Sequence, residues 1–229
     1  MSNLHNNTAI LVFSRSAEAE SREKSLAFDA RKAASVAQLM IDQTRKIVES
    51  TEISYFLFTE KQQVGSNFGE RIANAFDTLF TKGFTNVIGI GNDCLTLSKT
   101  DLLKAAHALN TGTNAVLGKT TDGGAYLIGL EKTTFDTLDF QKIAWQTPSV
   151  FDAFSSLLTE KNLKIVCLTE KTDIDSFEQW ATIFNTIPLR LKKALLRLFL
   201  FLKTFFFTKI QTLSLGFTPI AGLLRAPPQ

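Results

Sequence analysis

Thr85–Gly91 reads TNVIGIG, and it runs directly into Asn92, Asp93 and Cys94. A short apolar run without alternation fits a strand covered on both faces, as in a sheet sandwiched between helix layers. Similar runs lie on either side of it. Thr8–Ser14 (TAILVFS) and Ile53–Thr59 (ISYFLFT) precede it; Asn114–Gly118, Ala125–Leu130 and Lys164–Leu168 follow. Helical patterns fill the intervals: Ser25–Ser50, Phe68–Thr81, a stretch from Thr100, Pro148–Lys161 and Asp175–Phe184. Strand–helix alternation of this kind predicts an α/β fold with a mostly parallel, Rossmann-like central sheet. Ligands of such sheets bind outside the carboxyl ends of the strands. The loops to inspect are therefore 14–24, 60–70, 91–99, 118–124 and 169–176.

Composition agrees with one globular domain. The chain has 229 residues, 45% hydrophobic and 21% charged, with a formal net charge of +3. The charge is uneven. Seven basic and no acidic residues lie from Leu189 onward, which leaves 25 less 7, or 18, basic residues against 22 acidic ones in residues 1–188. A basic nucleic-acid-binding domain is not what this distribution describes. Cys94 and Cys167 have no metal-site spacing and read as reduced thiols. Met1–Asn7 is polar and lacks the apolar core of a signal peptide, so a cytoplasmic location is expected. No Walker-type lysine loop and no G-x-G-x-x-G follows the first strand, which argues against a P-loop NTPase and a dinucleotide dehydrogenase.

Two loops stand out chemically. Asp93, just beyond a buried strand, could project a carboxylate into the crevice as a Mg²⁺ or Mn²⁺ ligand, or cap the following turn. Asp122-Gly123-Gly124 could let a ligand approach the backbone, or simply close a hairpin. Trp145 reads either as a platform or as packing, and His107 as a surface or packing residue.

Taken together, several segments resemble the signature of a bacterial GT-A-like family of uncharacterised glycosyltransferases, the radical-SAM/selenodomain-associated transferase type. Ile88–Cys94 is similar to its G-[ST]-D-C-P segment. Leu117-Gly118 through Asp122–Leu130 is similar to L-G-P-x-x-D-G-G-Y-Y-L-I-G-L, and Trp145-Gln146-Thr147 to W-S-T. Gln63-x-Gly65-x-x-Phe68-Gly69-Glu70-Arg71 resembles Q-x-G-x-L-G-x-R-M, and Asp173–Ser176 resembles a closing D-I-D-T. The likeness spans about residues 8–185.

What the resemblance implies is a single nucleotide-diphospho-sugar transferase domain over 1–188, using a nucleotide-activated donor and a divalent metal, Mg²⁺ or Mn²⁺. Asp93 and Asp175 would be the metal ligands, with Asp173 as the alternative to Asp175. Ser14, Arg15, Arg22, Lys24, Gly69, Arg71 and Asn92 would form the nucleotide site. Gly123, Gly124 and Trp145 would line the acceptor side, with Asp122 as catalytic base. The acceptor is not specified. Leu95 and Lys119 stand where the family has proline, Ala125 replaces an aromatic, and loop 14–26 carries Glu18, Glu20 and Glu23 in place of the family's P-x-x-G-x-x-K-T-R-L. Two alternatives follow: a nucleotidyltransferase acting on a nucleoside triphosphate, or an inactive nucleotide-binding or membrane-associated interaction protein.

Residues 189–229 form a basic, hydrophobic tail. On a helical wheel Leu191, Leu195, Leu198, Leu202, Phe205 and Phe206 share one face and Arg190, Lys192, Lys193, Arg197 and Lys203 the other. Residues 190–210 are thus expected either to lie on an anionic membrane surface, peripheral to the inner membrane, or to dock on protein.

Overall fold

The computed structural model describes residues 7–198, apart from 25, 28, 29, 177, 178 and 180–182. Six strands form one sheet: β1 (Thr8–Phe13), β2 (Ser54–Phe58), β3 (Asn86–Ile90), β4 (Ala115–Thr120), β5 (Ala125–Glu131) and β6 (Ile165–Lys171). Their order is β2-β1-β3-β5-β4-β6. β1 pairs in parallel with β2 and β3, and β4 with β6. β5 runs antiparallel to both β3 and β4. Five strands therefore point the same way, and the loops after residues 13, 58, 90, 120 and 171 open on one edge.

The expected all-round burial holds for β1 and β3, whose residues are almost entirely buried. It does not hold for β2, which is half-buried because it lies at the sheet edge with a single strand neighbour.

The helices are α1 (Ala17–Glu23), α2 (Ala30–Ser50), α3 (Phe68–Thr81), α4 (Lys99–Asn110), α5 (Lys132–Phe135), α6 (Val150–Glu160) and α7 (Leu189–Leu198). α2 buries Ala33, Val36, Ala37, Met40, Ile41 and Val48, an i, i+3, i+4, i+7 stripe that explains why this stretch is a helix with one apolar face. α3 and α6 cover one sheet face through Phe76, Leu79, Phe154 and Leu158. α4 covers the other through Leu102, Ala105 and Leu109. Ser98 and Asp101 close a reciprocal capping box at the start of α4.

Two further expectations change. Loop 14–24 is not irregular: α1 occupies most of it, begun by Ser16, whose side chain accepts from the Ala19 N–H at 3.3 Å. Leu191 and Leu195, expected on a membrane-facing stripe, are only 2% exposed, because they pack with α2 in a cluster that also holds Leu95. Leu202, Phe205 and Phe206 lie outside the described residues, as does most of the helix expected over 175–184.

Candidate active site

The chain leaves β1 on one side of the sheet to form β2, then returns to form β3 on the other side of β1. This reversal is the topological switch point, where a crevice opens between the loops after β1 and β3. Lys24, at the end of α1, bridges that crevice. Its Nζ donates to Asp93 Oδ2 at 2.8 Å and pairs with Asp175 Oδ1 at 2.7 Å and Glu20 Oε1 at 3.2 Å. The carbonyl of Ile174 lies 3.5 Å away. The backbone ties the two loops directly as well, since Ile174 N–H donates to the Asp93 carbonyl at 3.2 Å.

Electrostatics follow from this geometry. Burial works against the Lys24 charge, but Asp93, Glu20 and Asp175 outweigh it and hold the ammonium above the usual lysine range. Burial likewise opposes ionisation of Asp93. Attraction to Lys24, its hydrogen bond and the nearby backbone N–H groups prevail and lower its pKa. At Asp173 the attraction of Lys24 is outweighed. Burial first, then the charges of Asp93 and Asp122, push it up to about 9, so it is neutral at pH 7.

The two carboxylates expected to hold a metal thus aim one oxygen each at a common point, and hard oxygen donors suit Mg²⁺ or Mn²⁺. Asp173 Oδ1 and Asn92 Nδ2, beside them in sequence, are buried without a hydrogen-bond partner. These orphaned polar atoms are what a ligand, or water around it, would satisfy. Among the described residues no group of three or more His, Cys, Asp or Glu side chains forms a ready metal cage. The donor set fits an ion held by two carboxylates and completed by substrate oxygens.

The other expected residues divide. Arg15 pairs with Glu20 at 3.6 Å and Glu23 at 3.9 Å, joining the Lys24 group through Glu20. Ser14 is buried at the end of β1, and its hydroxyl donates to the Arg15 carbonyl at 2.8 Å. Arg22 lies on the exposed side of α1. Arg71 sits on the first turn of α3 and donates from Nε to the Asn67 carbonyl. Neither joins the Lys24 group by a hydrogen bond or ion pair.

Asp122 closes the β4–β5 turn. Its Oδ1 accepts from Thr120 Oγ1 and from the Gly124 N–H. Gly123 has φ +92°, and a side chain there would collide with the Pro148 carbonyl. The Gly123 carbonyl also accepts from Phe151 N–H, which clamps this turn to segment 148–151.

Trp145 packs. Its indole N–H donates to the Phe140 carbonyl at 2.7 Å, and its ring stacks on Phe140 with centroids 5.8 Å apart. A methyl group at Gly69 would stand 2.8 Å from the indole Cδ1 and Nε1, so Gly69 supplies the surface on which Trp145 lies.

Two contributors were given no role by the sequence reading. Glu20, which looked like a departure from the family loop, is buried and pairs with Lys24. The Glu20–Lys24 spacing of i, i+4 on a helix was the available signal. Gln63 donates from Nε2 to the carbonyls of Ser14 and Phe58, stapling the ends of β1 and β2.

The family described as "Uncharacterized protein conserved in bacteria (DUF2064)" matches residues 15–147, more than half of the chain. The chain belongs to the DUF2064 family. No curated protein matches it. This DUF2064 chain is similar in structure to a candidate nucleotide-diphospho-sugar transferase from Desulfovibrio desulfuricans G20. The TM-score is 0.74 at 18% identity, covering 89% of this chain and 98% of that one. It is also similar to a 4-diphosphocytidyl-2C-methyl-D-erythritol synthase from Anaerococcus prevotii DSM 20548, with TM-score 0.49, 11% identity and coverage of 85% and 99%. A cytidylyltransferase from Leptospira borgpetersenii serovar Hardjo-bovis gives TM-score 0.47, 13% identity and coverage of 90% and 98%. At 18% identity the likeness to the Desulfovibrio structure is one of fold: the DUF2064 domain has the GT-A-like α/β architecture that its segments resembled. Among the described residues no helix is long and apolar enough to cross a membrane.

Proposed function

We propose that this protein is a metal-dependent transferase of the GT-A type that uses a nucleotide-activated donor, with a nucleotide sugar as the donor class. The observation that carries this reading is the meeting of Asp93 and Asp175 at one point on the carboxyl edge of the sheet. Asp93 and Asp175 would hold Mg²⁺ or Mn²⁺, with Asp173 beside them. A divalent ion held there would supply positive charge against the charge that develops on a departing diphosphate.

The remaining roles extend this reading. Lys24 and Arg15, with Arg22 on the outer side of α1, present positive charge to the phosphates, and Arg71 helps position the nucleotide. Asn92 offers a buried amide N–H that has no internal acceptor. Ser14 and Gly69 contribute wall. On the acceptor side Asp122, held by Thr120 and Gly124, takes the proton from an acceptor hydroxyl at its carboxylate. Gly123, Gly124 and Trp145 shape that side. The basic, apolar tail beyond residue 198 is suited to an anionic membrane surface. Removing residues 199–229 then moves the protein from the membrane fraction to the soluble one.

A thermal-shift panel of nucleoside diphosphates and sugar nucleotides, with and without Mn²⁺, tests the assignment. The expected result is a Mn²⁺-dependent rise of roughly 5–10 °C at about 100 times Kd for one nucleotide. Absence of any metal-dependent shift across the panel overturns the reading. Pyrophosphate release from a triphosphate replaces the donor class with that of a nucleotidyltransferase.

A further inference from the structure

Lys24 occupies the point on which the two proposed metal ligands converge. Its three N–H donors meet three carboxylates, at 2.7, 2.8 and 3.2 Å, and its side chain is only 14% exposed. An ammonium so placed already does part of what a metal ion would do, since it screens Asp93 from Asp175 and keeps both turned inward. A small divalent ion such as Mg²⁺ bound to the same oxygens needs them at about 2.0–2.1 Å, and it cannot share that position with a buried positive group.

We propose that Lys24 is an exchangeable internal cation, holding Asp93 and Asp175 in place until a divalent metal ion displaces it and turns its ammonium toward the diphosphate of the donor. This rests on the metal-dependent reading above and adds to it.

The charges explain the direction of exchange. Around the crevice, Lys24 and Arg15 face Glu20, Glu23, Asp93 and Asp175, two positive groups against four negative ones. That set repels a diphosphate. A divalent ion cancels that excess, and the crevice no longer repels phosphate. Glu20 is the pivot. It is buried on α1, one helical turn before Lys24, so the lysine keeps one partner while its bonds to Asp93 and Asp175 break. The four-carbon stem then carries the ammonium to a new acceptor without moving the helix.

The test is Mn²⁺ binding to the full-length, chelator-treated protein without nucleotide, followed by electron paramagnetic resonance of the free ion. Lys24→Met is expected to bind Mn²⁺ at least tenfold more tightly than the wild type, because nothing must be displaced. Adding Asp93→Asn to Lys24→Met is expected to abolish the gain. Equal or weaker binding by Lys24→Met, with measurable binding by the wild type, overturns the exchange and leaves the metal site standing. No binding by either protein overturns both.

A second measurement needs no variant. Acetylation of Lys24 in the wild type, mapped by mass spectrometry, is expected to rise at least threefold when Mn²⁺ is added, since the displaced amine becomes accessible. An unchanged or lower rate overturns the proposal.

Discussion

The carboxylate of Asp93 lies over Gly91: a methyl group at position 91 would stand 2.6 Å from Asp93 Oδ1. The glycine two residues upstream thus gives the acid the room it needs to turn into the crevice and reach Lys24. Gly91→Ala is expected to push the carboxylate aside. About tenfold weaker Mn²⁺ binding should follow, as when a neighbour that orients a ligand is lost. Crowding should add a stability cost of about 1–3 kcal/mol. Resonance titration and thermal melting check the two effects. Unaltered Mn²⁺ affinity in a folded variant would show that position 91 does not set the carboxylate.

Trp145 should behave as a packing residue first. Trp145→Ala removes contacts to Phe68, Phe140 and Phe154, and for a half-buried ring the expected loss is about 2–4 kcal/mol. Trp145→Phe keeps most of the ring contacts and should lose much less. Thermal denaturation of the pair decides it, and equal losses would argue against packing as the main contribution.

Asp173 makes stability depend on pH in the metal-free protein. Its folded value is about 9, well above the unfolded value of about 3.9. Between those values the folded state retains a proton that the unfolded state has released. Stability therefore falls as pH rises from about 4 to about 9 and is insensitive to this group below that window. Asp173→Asn in chelator should melt several degrees higher than wild type at pH 8, with the difference fading toward pH 4. A difference that grows on acidification contradicts the sign.

The two cysteines should react unequally. Cys167 is exposed on β6, whereas Cys94 is buried and its thiol is pushed up to about 12, by burial and then by Asp173. In native protein at pH 8 a disulfide reagent should titrate one thiol promptly and the second only on unfolding. Cys167→Ser should remove the prompt phase; a prompt phase that survives it would place Cys94 in solvent.

How far the sequence could be read varies by element. The apolar run at Thr85–Gly91 and the α2 stripe reflect local periodicity, so strands and helices, and the mostly parallel sheet, were legible. The segment likeness pointed to Asp93 and Asp175 before any geometry. Three things were hidden. α1 was obscured because its glutamates read as losses from a family loop, although Glu20 faces inward. The meeting of Lys24 with carboxylates at 93 and 175 depends on side-chain reach across distant segments, which no local pattern encodes. The partner of Leu191 and Leu195 was equally invisible: an amphipathic stripe states that a face is buried, and only the fold says against what.

The pairing of β4 with β5 has a consequence for how the molecule forms. It joins residues as near as Lys119 and Ala125, six positions apart, and needs only a short chain closure. The other strand pairs reach much farther: Ile90 with Leu127 spans 37 positions and Thr8 with Asn86 spans 78. Contacts of high sequence separation form slowly. The hairpin carrying Asp122 can thus arise early from its own residues, while the grip of Lys24 on Asp175 waits until nearly the whole domain has been made. On the ribosome, that cluster of charges can close only after residue 175 has emerged.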